Sequence, residues 1–309
     1  MFPLARRGLI KSTSIDLAVV AEALGKGIAP DPWLENGVLP ARLLAAADRP
    51  EDAGRVVSGE MLVACAFAER NRRYSLRASQ ANAAHNPDGY TLTGEKTLVL
   101  GGALADALIV SASCGGETAL FLVPAGVAGL DRRNYRIADG SMASEVRLNA
   151  VRVPQEARLE LSERALAQAI DDARLLAAAE MLGLGQRLFD DTLEYVKQRE
   201  QFGAPIGSFQ AIQHRLVECY AALEQARSML YRAAMADRAD TDAWHRAAAG
   251  AKAFIGEQAD LVAREAVQMH GGMGVTDELA IGHAMKRVLV LGRLFGDTDA
   301  MLAEYAEAA

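Results

Sequence analysis

The second half of the chain, from about residue 160 to residue 309, limits the possible folds more than any other feature. Its apolar residues recur at helical spacing over long stretches. The predicted helices run from the N-cap candidate Ser162 to about Gln201, from Ser208 past Leu230, from Asp242 to Met269, from Glu278 to about Leu294, and onward from Thr298. Long helices joined by short turns predict an antiparallel four-helix bundle over residues 159–309.

Two different patterns precede this half. Residues 61–158 contain short apolar runs with turn glycines, such as GYTLTGEKTLVLGG, ALIVSAS and ALFLVPA. Such runs predict a middle domain that is a small antiparallel β sandwich or barrel. Residues 1–60 consist of short helical pieces, with one predicted helix over Ile15–Leu24 and an extended segment at Pro30 and Pro32. The expected fold class is therefore a multidomain α and β protein with a short N-terminal helical segment.

Composition excludes several classes of protein. The 309 residues carry 33 basic and 40 acidic side chains, and the net charge of −7 argues against a general nucleic-acid binder. No apolar run approaches the roughly 18 residues that span a bilayer, so no membrane partner is expected. The three cysteines, Cys65, Cys114 and Cys219, are far apart and odd in number, which predicts neither a disulfide framework nor a metal site. The N-terminus does not look like a secretory signal, and a cytoplasmic protein is expected.

Two glycine-containing segments are unusual for a plain helical bundle. Arg199 to Gly203 ends one predicted helix and is followed by Pro205 to Gln213, and Gln268 to Gly274 forms a glycine-rich turn after another. Glycine lets a backbone approach a ligand closely, and an arginine holds a phosphate through paired hydrogen bonds. Both segments therefore suit a diphosphate or a nucleotide. Each alone is a weak signal, because two glycines at a helix end usually form a C-cap.

The order and spacing of the two segments resemble the acyl-CoA dehydrogenase family. The family pattern is R-x-x-F-G-x-P-I-x-x-F-Q-x-x-Q, followed about 55 residues later by Q-x-x-G-G-x-G and then an acidic residue. The resemblance extends from about residue 15 to the end of the chain. The matching residues are Arg199, Phe202, Gly203, Pro205, Ile206, Phe209, Gln210, Gln213, Gln268, Gly271, Gly272, Gly274 and Glu278.

The resemblance implies an N-terminal helical domain, a β domain and a C-terminal four-helix bundle, with FAD between the last two. The ADP part of that FAD reaches into a neighbouring subunit, so Arg199 and Phe202 are implied to contact a neighbour's diphosphate and adenosine. The cofactor-binding residues carried over are Arg199, Phe202, Phe209, Gln210, Gln213, Gln268, Gly271, Gly272 and Gly274.

The implied reaction is the α,β-dehydrogenation of an acyl-CoA thioester. In the family a glutamate removes the α proton while the β hydrogen leaves as hydride to flavin N5. This chain has Phe-Gly-Asp-Thr where the family has Tyr-Glu-Gly-Thr, so Gly296 takes the place of the glutamate. Some members carry the base on the first bundle helix, where this chain has Ala173. Asp297 and Asp172 are weak candidates for a substitute base; their alternatives are an N-cap and a solvated helix face, respectively.

Two further departures from the family lie in the first half of the chain. Compared with the family pattern, about half or more of the usual N-terminal helices are missing before Ile15, as expected for a fragment, a misplaced start or a reduced subunit. A shortened domain should leave apolar surface exposed unless a partner covers it. The motifs that normally hold the flavin ring, Thr-Glu-Pro-x-x-Gly-Ser-Asp and Trp-Ile-Thr, are replaced by Ala68 to Ser75 and Leu98 to Leu100. Arg70, Arg72 and Arg73 are either contacts for CoA phosphates or part of a solvated loop.

Together these departures favour a non-catalytic subunit of a heteromeric acyl-CoA dehydrogenase, which lends its ADP-binding surface to a homologous catalytic partner. Such assemblies act on bulky or dicarboxylic acyl-CoAs, for example steroid side chains or pimeloyl-CoA. An electron-transfer flavoprotein is a candidate acceptor, and lipid metabolism is the expected setting. The alternatives are a self-sufficient homo-oligomer with a substitute base, a flavin-free scaffold, and an oxidase or monooxygenase of the same fold.

Overall fold

The computed structural model describes residues 13–70, 72 and 74–307. These residues form two compact units, one of residues 31–169 and one that joins residues 13–30 to residues 170–307. Helix α1 (Ser14–Gly27) thus belongs with the C-terminal helices, whereas the short helices after it belong with the strands. The order of helical, β and helical parts confirms the predicted fold class. The predicted domain boundaries at residues 60 and 158 stay predictions.

The first unit combines short helices with a sheet. A π-helical turn (Trp33–Val38) leads into α2 (Leu39–Ala46), and α3 (Pro50–Val57) follows. Asn36 anchors the π-helical turn, because its Nδ2 donates to the carbonyls of Val63 (3.1 Å) and Gly101 (3.3 Å). The strands are β1 (Val63–Ala66), β2 (Asn82–Asn86), β3 (Gly89–Leu100), β4 (Ala107–Cys114), β5 (Glu117–Pro124), β6 (Leu130–Arg136), β7 (Met142–Val153) and β8 (Arg158–Leu159).

In the described part of the chain, these strands form one eight-stranded sheet in the order β6-β7-β3-β2-β4-β5-β8, with β1 also paired to β4. Most neighbours are antiparallel, as predicted, but β1 and β2 both pair with β4 in parallel. Alternation of apolar residues marks a strand but does not encode its partner, so these two pairings were not predictable. The inward side chains, among them Leu92, Phe121 and Val146, form a continuous apolar core.

The second unit is helical, as predicted. Ser162 Oγ accepts from the Ala165 amide (3.2 Å), which confirms it as the N-cap before α4. The first helix ends at Gln198 and the next begins at Gln210, because a small hairpin occupies the residues between them. The elements are α4 (Glu163–Gln198), β9 (Glu200–Gln201), β10 (Ala204–Pro205), α5 (Gln210–Ala234), α6 (Thr241–His270), α7 (Ala280–Arg293) and α8 (Thr298–Glu307).

Helix α1 packs closely on α4 and α5. Its Glu22 forms an ion pair with Arg227 of α5. On its outer face the side chains of Ile15, Val19 and Val20 are 48%, 61% and 44% exposed. Among the described residues, this face of α1 is therefore apolar and exposed.

Two features are absent from residues 13–70, 72 and 74–307. None of the helices in these residues is both long and apolar enough to cross a membrane. No cluster of three or more His, Cys, Asp and Glu side chains in the same residues is suited to hold a metal ion.

Candidate functional site

The first predicted segment begins where helix α4 ends. The Arg199 amide donates to the Tyr195 carbonyl (2.8 Å), and the Arg199 carbonyl accepts from the Ile206 amide (2.8 Å). The β9–β10 hairpin lies between them, with φ values of 55° at Phe202 and 81° at Gly203 at its tip. Two consecutive positive φ values are those of a type I′ turn, which glycine favours. The turn leaves Phe202 96% exposed, and Arg199 is also exposed.

Aromatic and amide side chains follow the hairpin. The rings of Phe202 and Phe209 meet edge to face, with centroids 6.4 Å apart. Gln210 and Gln213 lie exposed in the first turn of α5. Gln213 Nε2 donates to the Gly207 carbonyl (3.0 Å), so this glutamine also holds the turn before its own helix.

The second predicted segment is the turn after helix α6. It begins at Gly271, whose φ is 59°, and continues as a 3-10 turn over Gly271–Val275. A Cβ added to Gly271 or Gly272 would meet nothing within 4 Å, so the backbone here is open to a ligand. Gly274 differs, because a Cβ there would lie 2.7 Å from the Val267 carbonyl oxygen. Its glycine is therefore required by packing, and its role in cofactor binding stays a prediction.

An apolar cluster joins the two segments at their bases. The Tyr195 ring stacks on the His270 ring at 4.2 Å and 22°. His270 is buried, and its Nδ1 lies 2.8 Å from the Ala266 carbonyl. Val196 and Met269 belong to the same cluster. The stacked pair was not singled out in the sequence, although both residues lie within four positions of the matched motifs.

The geometry of the two segments fits the ADP part of FAD. An exposed guanidinium at Arg199 can pair with a diphosphate, and the exposed ring of Phe202 offers a face for an adenine. The open backbone at Gly271 and Gly272 allows close approach. These residues would hold the cofactor by its ADP end, whereas the redox chemistry belongs to the flavin.

The turn around Gly296 lies where members of the family carry the catalytic glutamate. Gly296 has a φ of 125°, a conformation that side-chain-bearing residues rarely adopt. Asp297 Oδ1 accepts from the Ala300 amide (3.1 Å), which makes this carboxylate the N-cap of helix α8. The N-cap alternative therefore describes what Asp297 does in the structure.

Asp172 is not on a solvated helix face, so that alternative is wrong. The residue is 6% exposed, and its Oδ2 accepts from Arg238 Nη2 at 2.6 Å. Asp172 is buried next to a cation because the loop after α5 places Arg238 against α4. The two residues lie 66 positions apart in the sequence. The neighbouring Ala173 is 1% exposed.

A network of charged side chains surrounds the turn before α8 and was not predicted. Arg174 Nη1 pairs with Asp171 (2.9 Å) and Glu304 (2.8 Å). His245 Nδ1 lies 3.0 Å from Asp171, and this hydrogen bond raises the pKa of His245 above its usual value. Lys252 lies 2% exposed inside the same region, and burial lowers its pKa to about 7.

The stretch from Ala68 to Ser75, which replaces one of the family's flavin-ring motifs, contributes Glu69 to a buried ion pair. Glu69 Oε1 accepts from Lys96 Nζ at 2.8 Å. Arg70 lies 3.6 Å from Glu145, Arg72 is exposed, and Arg73 lies outside the described residues. Contact of these arginines with CoA stays a prediction.

The buried ion pair predicts sensitivity to acid. Burial alone would raise the pKa of Glu69, but hydrogen bonds from Lys96 and three backbone amides outweigh it and lower the pKa to about 2. A carboxyl with a depressed folded-state pKa contributes stability above its unfolded-state pKa, here 4.5, and loses it as the pH falls toward 2. Over that range the unfolding free energy should fall by about 3 kcal/mol more than in Glu69→Gln. Urea denaturation at several pH values measures the unfolding free energy of both proteins. If this free energy falls equally with decreasing pH in the two proteins, the expectation is contradicted.

Comparison with known proteins identifies the family. The family model "Acyl-CoA dehydrogenase, C-terminal domain" matches residues 163–309. Isovaleryl-CoA dehydrogenase of Arabidopsis thaliana is 32% identical over 78% of this chain, which covers 61% of that protein. Acyl-CoA dehydrogenase FadE27 of Mycobacterium tuberculosis is 31% identical over 93% of this chain and 82% of its own length.

The ChsE4–ChsE5 complex of M. tuberculosis has a chain of the same fold, with 29% identity and a TM-score of 0.86 over 95% of this chain and 80% of that chain. The likeness thus includes both the β unit and the helical unit. From the sequence matches and the shared fold we conclude that the chain belongs to the acyl-CoA dehydrogenase family.

Proposed function

We propose that this chain is a subunit of an FAD-linked acyl-CoA dehydrogenase, that it presents its ADP-binding surface to the FAD of a homologous partner, and that it does not supply the catalytic base. One observation carries the proposal. The position of the family's glutamate is Gly296 with a φ of 125°, while the Arg199 hairpin and the Gly271 turn are exposed and open.

FAD is the cofactor of the family, and it accepts the hydride from the acyl chain when bound. In the proposed assembly Arg199 binds the diphosphate and Phe202 packs on the adenine. The Gly271–Gly272 backbone approaches the same group. The stack of Tyr195 on His270 keeps the two segments at a fixed spacing.

A self-sufficient enzyme with a substitute base has less support. Asp297 caps helix α8, and Asp172 is buried against Arg238. Both carboxylates thus make structural contacts, Asp297 with the Ala300 amide and Asp172 with Arg238, and neither contact is one that a general base needs. The base in the proposed assembly therefore belongs to the partner.

A relative supports assembly with a second chain. One structure of the same fold is a complex of ChsE4 with ChsE5. We infer that this chain also assembles with a homologous catalytic subunit. The proposed substrate of the assembly is an acyl-CoA with a bulky or dicarboxylic acyl group. An electron-transfer flavoprotein is the proposed acceptor.

Replacement of Arg199 by alanine tests the proposal directly. The complex with Arg199→Ala should bind FAD about 10- to 100-fold more weakly, because a charge-assisted contact to the diphosphate is lost. Flavin fluorescence after dialysis measures the bound fraction. Arg264→Ala, an exposed arginine of α6 paired with Asp260, is the matched control. Equal flavin content in the two variants would count against the assignment.

Native mass spectrometry of tagged protein from its own host tests the assembly. A heteromer with a second, homologous chain and about one FAD per pair is the expected result. A homo-oligomer loaded with flavin would make the chain self-sufficient and overturn the subunit role. A flavin-free oligomer without a partner would favour the scaffold alternative.

A further inference from the structure

The turn that joins helices α7 and α8 is held by two buried cations from different helices. Lys252 of α6 donates to the carbonyls of Gly292 (3.3 Å) and Gly296 (3.2 Å). Arg174 of α4 donates through Nε to the Phe295 carbonyl (3.0 Å). Two consecutive carbonyls of the turn are thus fixed by side chains that lie far away in the sequence.

Each cation is committed to the turn by its surroundings. Lys252 is 2% exposed, and its ammonium contacts backbone carbonyls rather than a carboxylate. The side chain of Arg174 is 7% exposed and is oriented by Asp171 and Glu304. A buried cation costs free energy unless its hydrogen bonds are made, so moving the turn would leave both cations without these acceptors.

The backbone conformation that results is closed to a side chain at position 296. Phe295 has a φ of 60° and Gly296 a φ of 125°. A Cβ at position 296 would also overlap the side chain of Met301, which is fully buried in the packing of α8 against α6. The methionine is flexible at its end, so the backbone conformation is the stronger obstacle.

Helix α8 also stabilises the turn, through contacts on its C-terminal side. The Tyr305 ring packs on Gly250 of α6, and Arg246 lies over the same ring at 4.7 Å. Glu304 connects α8 to Arg174. The turn is therefore fixed at both ends, by Lys252 at the end of α7 and by α8 after it.

We propose that Lys252 and Arg174 are positioning residues that fix the turn Leu294–Asp297 and thereby keep position 296 closed to any side chain. The inference rests on the proposed function only in taking position 296 as the place of the family's base. It adds that the backbone conformation itself excludes a side chain at position 296, so a glutamate placed there would not restore catalysis.

The ionisation of Lys252 is consistent with this role. Burial, with Arg174 nearby, lowers its pKa to about 7, and Asp297 acts in the opposite direction. A neutral amine retains two N–H donors, which matches the two carbonyls that it contacts. The lysine can therefore hold the turn in either protonation state.

A double-mutant cycle in the full-length chain tests the proposal. Gly296→Ala should raise the unfolding equilibrium constant about 30-fold in the otherwise unchanged protein, the scale of a strained backbone position. In Lys252→Met the turn is no longer held by the lysine. In that background Gly296→Ala should raise the unfolding equilibrium constant by a factor that is at least about five times smaller. Urea denaturation can be followed through Trp244 of α6 in a Trp33→Phe background, since the two tryptophans lie in different units.

Hydrogen exchange supplies a second readout. Lys252→Met should speed exchange in peptides covering residues 292–301 by about tenfold or more, because the hydrogen bonds to the Gly292 and Gly296 carbonyls are both lost. Lys197→Met, an exposed lysine at the end of α4, is the control and should leave these peptides unchanged. If Lys252→Met fails to fold, Arg174→Lys takes its place, because it keeps the charge but removes the Nε donor to Phe295.

An equal cost of Gly296→Ala in both backgrounds, with unchanged exchange, would overturn the proposal. Neither readout involves FAD, substrate or a partner chain. Failure here would therefore leave the subunit role standing, and failure of the Arg199→Ala test would leave the positioning role standing.

Discussion

A Lys96→Met variant is expected to lose about 3–5 kcal/mol of unfolding free energy, because it breaks an ion pair inside the β unit. The Lys96 ammonium donates to Glu69 Oε1 and to Ser111 Oγ, each at 2.8 Å. The side chains of the pair are 0% and 1% exposed. Methionine fills a similar volume but leaves the Glu69 charge buried without its counter-ion. Urea denaturation at pH 7 measures the loss.

Two further variants separate the ion pair from simple packing. The double variant Glu69→Leu, Lys96→Met removes both charges and should recover most of the loss. Arg147→Met breaks the exposed pair with Glu95, whose side chains are 64% and 49% exposed, and should change stability by less than about 1 kcal/mol. A Lys96→Met loss as small as that of Arg147→Met would show that the buried pair contributes little.

The helical half of the fold was predictable because its signals are local. Helical spacing and the Ser162 N-cap located the start of α4, and the break at Gly203 and Pro205 located its end to within a few residues. The sheet was less predictable. Its parallel pairings to β4 depend on which strands meet in space, and strand alternation carries no such information.

The candidate site divides in the same way. The Arg199 and Gly271 segments were found because a motif carries residue type and spacing together. The cations at the Gly296 turn were not, because Lys252 lies 44 residues from Gly296 and Arg174 lies 121 residues from Phe295. The solvated face that stands as the alternative for Asp172 is wrong for the same reason, since its partner Arg238 comes from a distant loop.

The crossing of helices α1 and α4 supplies the second large expected effect. Gly183→Ala should lower the unfolding free energy of the helical unit by about 3 kcal/mol or more, because the new methyl group has no space. A Cβ on Gly183 would overlap the Glu22 carbonyl oxygen, and a Cβ on Gly25 would overlap the Glu180 carbonyl oxygen. The two backbones are thus in direct contact, with glycine on each side.

Separating α1 from α4 to accommodate the new methyl group would break other contacts. Glu22 is paired with Arg227 and Lys26 lies 3.2 Å from Asp190, so a shift of α1 would stretch both ion pairs. Gly27→Ala is the matched control on α1, because a Cβ there would meet nothing within 4 Å. It should be neutral or stabilising by about 0.5–1 kcal/mol, the helix propensity of alanine over glycine. If urea denaturation finds Gly183→Ala as stable as Gly27→Ala, then α1 does not rest on α4 through these glycines, and the grouping of residues 13–30 with the C-terminal helices fails with it.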